Sequence, residues 1–340
     1  MATYKEIFGT NIEVLASDPA NPVTGQVWYN STDNVVKGAA ATTVGSWATG
    51  GTVGTARDGA GSAGTQTSAL FVSGRIGPAG VPPGITTNTE LYNGSTWTEV
   101  NNLTAGRWQM TGLGANNTAA LAFGGQLAPV PSGSKTANNE SWNGTSWTEV
   151  NNLNTAKTVT VGIGTLTSGL TAGGNSTGNV TETESWNGTS WTEVNDLNTA
   201  RQGLGGAGAD NTSGVVFGGQ TPTLTQTGVT ESWNGTSWTE VTDLNSARRF
   251  ISGAGTQTSA VAFGGRDYSP AGSGKTEIWN GTSWTEDTDM STDRFSSGRA
   301  GSNSTSALAI SGDTPPRDFT TATEEWTGAG SPLTVTFTDS

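Results

Sequence analysis

The string WNGTSWTE recurs at 142–149, 186–193, 233–240 and 279–286, with the variant YNGSTWTE at 92–99. Its second tryptophan returns at Trp97, Trp147, Trp191, Trp238 and Trp284, at intervals of 50, 44, 47 and 46 residues. The shorter GSW at 45–47 places Trp47 another 50 residues upstream. A chain with that period builds one supersecondary unit many times over, and each unit buries its faces against its neighbours. Between the tryptophan strings lies a second recurring element, small and apolar and closed by glycine. It reads SALFVSG (68–74), AALAFGG (119–125), SGLTAGG (168–174), SGVVFGG (213–219), SAVAFGG (259–265) and SALAISG (306–312).

Each unit holds four short extended segments, which in 248–291 are RRFISGAG, TSAVAFGG, KTEIWNG and TSWTEDT. Runs of Thr, Val, Phe and Trp cut by Gly and Asn-Gly read as strands and hairpins, and no apolar stripe of helical period persists. The Asn-Gly of WNGTSW sits in a four-residue loop, which places Trp142 opposite Trp147 as a cross-strand aromatic pair. At roughly 25 cal/mol per Å², burying such rings supplies about 4–6 kcal/mol gross for each. That makes a core affordable in a chain with 50 Gly and 32% hydrophobic residues.

Composition removes several functions. The 340 residues include no Cys and no His, which excludes disulfides, thiol nucleophiles, histidine-based triads and the common zinc sites. A formal charge of −13 with 15 Lys+Arg argues against nucleic acid and anionic lipid as partners. No stretch reaches membrane-spanning length, and the first residues lack the apolar run of a signal peptide, so the expectation is a soluble chain without membrane insertion.

Four strands per 45–50 residues, with FGG at 123–125, 217–219 and 263–265 and tryptophans downstream, resembles the kelch family of β-propellers over residues 45–330. The resemblance implies an all-β, six-bladed propeller of four-stranded antiparallel blades. Six basic residues open the units (Arg57, Arg107, Lys157, Arg201, Arg248, Arg294), and six third strands run from TELY to TEEW. The sixth unit has no second tryptophan of its own, so its outer strand is expected from residues 45–51 at the start of the chain. The segment 332–338 also reads as a strand and competes for that place. Either one of them adds a fifth strand or the closure is otherwise. Trp47, Trp97, Trp147, Trp191, Trp238 and Trp284 are the expected structural tryptophans. The expected division is 1–44 as an extension and 45–340 as the propeller.

Outside the repeat, Lys5 to Leu15 offers a short helix or strand, and VWYN–STDN–VVKG a hairpin. The string GQVWYNSTDNVVKG resembles a short module of bacteriophage tail and fibre proteins, and with the degenerate GTQTSAxAFGG units the chain resembles kelch-like virion proteins of marine phages. That resemblance implies a non-enzymatic component of the virion surface, a tail fibre or adhesin, held by 1–44 to other virion proteins or to identical chains. It would present its loop face to a host-surface glycan or receptor. A head decoration protein, and a cellular kelch-type lectin or scaffold, are the competing readings.

What every unit carries is framework, and what one unit carries alone is free to bind. The repeated acids Glu90, Glu140, Glu184, Glu231 and Glu277 stand against the six basic residues, either as one ion pair per blade or as a charged ring at the axis; the pair is the expectation. The NG[TS] sequons read as turns rather than glycosylation sites. STDN (31–34), TEDTDMSTD (285–293) and SGDTPPRD (311–318) lack the spacing of a calcium loop, and no metal or cofactor is expected. Enzymatic propellers are not expected either: four Tyr leave little for a sialidase site, and a copper oxidase site needs His and Cys. The loops between second and third strands vary most. They contribute Arg75, Arg266, Asp267, Tyr268, Arg317, Asp318 and Phe319, to which Trp108, unique at its position, is added. Planar aromatic and Arg/Asp groups of this kind suit sugar hydroxyls and carboxylates.

Overall fold

A computed structural model describes residues 12–19, 26–41, 44–77, 84–129, 133–268, 272–315, 318–329 and 332–337. Those residues form strands and turns and no helix. They divide into two compact units, Trp47–Trp326 and a smaller one that joins Met1–Ser46 to Thr327–Ser340.

The larger unit repeats one four-stranded antiparallel sheet. Following the chain, blade 1 comprises Gly61–Thr65, Ser68–Val72, Thr89–Tyr92 and Trp97–Val100; blade 2 comprises Thr111–Asn116, Ala119–Phe123, Asn139–Trp142 and Trp147–Val150. Blades 3, 4 and 5 begin at Val161, Gly205 and Ser252 and end at Val194, Val241 and Asp287. Blade 6 comprises Gly298–Asn303, Ser306–Ile310 and Thr323–Thr327, and its outer strand is Ser46–Thr49. The first strands pack in cyclic order from blade 1 to blade 6, and that of blade 6 packs back on blade 1. The fold is a β-propeller.

Segment 332–338 does not compete for the closing position. Pro332–Phe337 pairs antiparallel with Val35–Ala41, so the C-terminal residues leave the propeller and the expected boundary at 45–340 is corrected to one near Trp326. Its alternating pattern suits any available edge, and Val35–Ala41 supplies one. Of the Lys5–Leu15 segment, the described part is a strand over Glu13–Leu15, parallel to Val27–Asn30. The hairpin forms as read, with Val27↔Gly38 and Asn30↔Val35 in register. Asp18 ties this smaller unit together: Oδ1 accepts from Trp28 Nε1 at 3.0 Å and Asn30 Nδ2 at 2.8 Å, and Oδ2 meets Lys37 Nζ at 2.9 Å. Those donors, Lys37 foremost, hold its carboxyl down at about 2.

The tryptophans do two jobs. Trp142 and Trp147 are register partners with ring centroids 5.3 Å apart, and Trp186/Trp191, Trp233/Trp238 and Trp279/Trp284 repeat the arrangement. In blade 1 Tyr92 replaces the first ring and stacks on Trp97 at 4.8 Å. The first ring is fully buried and its Nε1 donates to the turn of its own first hairpin, as from Trp233 to Asn211 O at 2.9 Å. The second ring reaches the preceding blade, where Nε1 donates to a third-strand threonine. The pairs are Trp97→Thr323, Trp147→Thr89, Trp238→Thr183, Trp284→Thr230 and Trp47→Thr276, at 2.9–3.2 Å. Trp47 thus fastens blade 6 to blade 5 as the internal tryptophans fasten theirs.

One joint departs from the rule. Asn139 stands where the other blades have threonine, and both Trp191 Nε1 and Asn139 Oδ1 are buried without a hydrogen-bond partner. A buried orphan donor costs about 1–3 kcal/mol. Asn139→Thr should therefore raise the stability by about 1 kcal/mol, visible as a higher urea midpoint at unchanged slope; an unchanged or lower midpoint would show that the orphans are harmless.

The repeated basic residues form one buried ion pair per blade. Arg57, Arg107, Arg201 and Arg248 meet Glu90, Glu140, Glu231 and Glu277 at 2.8 Å, Lys157 meets Glu184 at 3.2 Å, and Arg294 pairs with Glu324. Burial pushes the guanidiniums of Arg57, Arg107, Arg201, Arg248 and Arg294 down in pKa, and the paired glutamate pushes each back up. The other carboxylate oxygen accepts a backbone N–H from the segment entering the blade: Gly54, Thr104, Asn154, Asn198, Asn245 and Ser291. These charges are structural, and they do not ring the axis. The sequon asparagines are likewise occupied. Asn143 Oδ1 accepts from the N–H groups of Thr145 and Ser146 at 2.9 Å, while Gly144 takes a φ of +90°, which favours glycine there.

Candidate functional site: the axial funnel

Two residues beyond each blade-opening base, the backbone turns left-handed. Gly59, Gln109, Val159, Gly203, Phe250 and Ser296 have φ of +58°, +54°, +50°, +62°, +51° and +51°. For Val159, β-branched, this is a costly conformation, of order 1–3 kcal/mol. The turns are linked by backbone bonds from blade to blade: Gly59 N→Ser296 O, Ser296 N→Phe250 O, Phe250 N→Gly203 O, Gly203 N→Val159 O, Val159 N→Gln109 O and Met110 N→Gly59 O, at 2.6–3.3 Å. The six bonds return to their start. They also line a cavity of about 90 Å³ on the propeller axis.

The residue before each turn faces the residue after the second-strand glycine in a single bridge. The pairs are Asp58↔Arg75, Trp108↔Gln126, Thr158↔Asn175, Gln202↔Gln220, Arg249↔Arg266 and Phe295↔Asp313. Backbone geometry is the same six times, while the side chains form a different pair each time. Six of these twelve positions directly precede the left-handed turns that line the axial cavity, and the other six are their bridge partners; together they are called its mouth. Three residues expected from sequence converge there. Arg75 donates from Nε and Nη2 to the two oxygens of Asp58 at 2.8 Å, with its guanidinium 4.5 Å from the Trp108 ring centre and 5.1 Å from that of Phe319. Burial pushes the Asp58 carboxyl up, against the pull of Arg75. Gly59 makes room for the indole: a Cβ there would lie 2.6 Å from Trp108.

Arg266 belongs to a second group on blades 4 to 6. Its guanidinium lies 5.3 Å from the Phe295 ring centre, Arg249 lies 5.1 Å from that of Phe250, and Arg249 Nη1 donates to Gln220 Oε1 at 2.6 Å. Asp267 presents its backbone carbonyl to Gln226, Tyr268 is 71% exposed, and Asp318 is exposed in a short pairing with Thr314. Arg317 lies outside the described residues. Sequence reading missed Asp58, Gln126, Thr158, Asn175, Gln202, Gln220, Arg249, Phe295 and Asp313. The signal was available, because aligning the six units on their basic residues shows the next position to be different in every one.

Among the described residues no cluster of three or more acidic side chains suits a metal ion. The mouth and the cavity lining hold four guanidiniums, Arg75, Arg249, Arg266 and Arg299, against two carboxylates, Asp58 and Asp313. In a chain of net charge −13 this is a local excess of positive charge.

No protein-family profile and no curated protein matches the chain. Among solved structures, one described as "Structure of YjhT" is similar with a TM-score of 0.66 at 12% identity, over 81% of this chain and 96% of that one. A likeness at that identity speaks for the fold, and it supports the β-propeller.

Proposed function

We propose that the chain is a six-bladed, kelch-like propeller acting as a non-enzymatic recognition module, and that it serves in a virion as a tail-fibre or surface protein. The funnel would face a host-surface glycan or receptor, and the smaller unit would join other virion proteins. The observation that carries the binding reading is the mouth of the funnel. Around it framework residues repeat blade by blade, while twelve register-equivalent positions hold six different side-chain pairs. Aromatic faces, bidentate Arg–carboxylate groups and amides together are the usual furniture of sugar recognition. The Asp58 carboxylate is held on both oxygens by Arg75, which suits orientation of a ligand better than proton transfer.

Trp108→Ala should lower glycan-array signal and adsorption to host cells at least about tenfold, as expected when an aromatic anchor is removed. Circular dichroism and thermal midpoint should stay close to those of the wild type. Full adsorption by a folded Trp108→Ala, Arg266→Ala double variant would refute a role for the funnel.

A further inference from the structure

The second position of the first strand is Ser62, Gly112, Gly162, Gly206 and Gly253 in blades 1 to 5, and Arg299 in blade 6. Its guanidinium runs along no surface. Nη2 donates to Gly162 O at 2.7 Å, three blades away around the cycle, so the side chain crosses the axis. Below it lies a second cavity of about 70 Å³, walled by the glycines of all six first strands, and Arg299 lines both cavities. No carboxylate lines either one, and no ion pair to Arg299 forms among the described residues. The buried cations that open the six blades each have a glutamate. Withdrawal from water pushes Arg299 down to about 10, with no charged neighbour to push it back.

We propose that the axial cavity at Arg299 binds one small oxyanion, a carboxylate or phosphate group, through the guanidinium N–H groups not used on Gly162. Ser62 helps, because its Oγ accepts the Arg299 backbone N–H at 2.7 Å and its own O–H is left to donate. The volume of about 90 Å³ admits a single such group with little more. Charge settles the sign of the ligand: a cation would meet an unpaired guanidinium, and a neutral group would leave that charge without a counter-ion in a low-dielectric site. The site does not depend on the glycan reading. A free anion and the carboxylate of an acidic sugar reaching down the funnel both present the same chemistry.

Titration calorimetry of the full chain with millimolar acetate, inorganic phosphate and glucuronate, at constant ionic strength in chloride, tests it, with glucose as the neutral control. One saturable site for at least one anion, none for glucose, and at least a tenfold weaker affinity in Arg299→Gln are the expected results. Arg299→Lys should keep part of the affinity. Glucuronate binding more tightly than acetate identifies an acidic sugar as the source, and phosphate or acetate binding at least as tightly identifies a free anion. Should Arg299→Gln not fold, the Arg299 Nε–H resonance of the wild type must move on saturation. No saturable anion site, an unchanged affinity in a folded Arg299→Gln, or an unmoved Nε–H would overturn the proposal. Failure here leaves the adsorption result for Trp108→Ala untouched, so the two readings fall separately.

Discussion

Replacing Glu231 with alanine should cost about 3–5 kcal/mol of stability, the range for removing one partner of a buried ion pair. Arg201 is fully buried and would keep its charge with nothing to balance it. Asn198 would lose the acceptor of both its backbone N–H and its side-chain Nδ2, each at 2.8 Å from Glu231 Oε2. Those donors anchor the segment that enters blade 4, so the damage should spread to the left-handed turn at Gly203. Glu240 is the control. It is the register partner of Glu231 across the outer hairpin but is exposed, and Glu240→Ala should change stability by no more than about 0.5 kcal/mol. Urea unfolding of both variants checks this. Equal effects would mean that the pair contributes nothing beyond its surface neighbours.

Trp233→Ala should cost a similar amount, about 3–5 kcal/mol, for a different reason. The ring is 1% exposed and packs with Val161, Ile163, Leu170, Leu204 and Val216, side chains from two adjacent blades. Deleting it opens a cavity at the joint and strands Asn211 O, which accepts its Nε1. Blade 1 suggests the milder variant: Tyr92 fills the equivalent place, so Trp233→Tyr should recover much of the loss. Equilibrium denaturation reads both. Ligand adsorption through the funnel should survive in either variant while it remains folded, because no Trp233 contact reaches the mouth. A folded Trp233→Ala within about 1 kcal/mol of wild type would contradict the role given to the tryptophan pairs.

The repeat made the blades legible because each device is local or recurs. Asn-Gly fixes the outer hairpin within six residues, and aligned units expose the Arg–Glu partnership without an alignment of relatives. Trp47 could be placed by its spacing alone. What escaped was non-local or conformational. The left-handed turns at Gln109, Val159, Phe250 and Ser296 carry no glycine to announce them, and only the bonds between blades make them necessary. The destination of Pro332–Phe337 depended on which edge was open, something an alternating strand pattern does not encode. In the site, residue types were readable and their meeting was not. Arg75 and Trp108 are 33 residues apart and Phe319 comes from the far end of the chain, yet the three touch. Tyr268, with equally suggestive chemistry, stands away in solvent. Arg299 was visible as the single charge in a column of glycine and serine, but only once the first strands were superimposed.

Ser46–Thr49 has a further effect, on how a newborn chain reaches this state. The strand is made early and waits for a partner, Thr323–Thr327, some 275 residues downstream. Such distant pairing comes late and slowly. Until it happens, the flank of Thr323–Thr327 is an unpaired template that any copy of Ser46–Thr49 satisfies, including one from another molecule. Crowded refolding should therefore yield interlocked dimers whose rings exchange their first strands, each still complete in every contact.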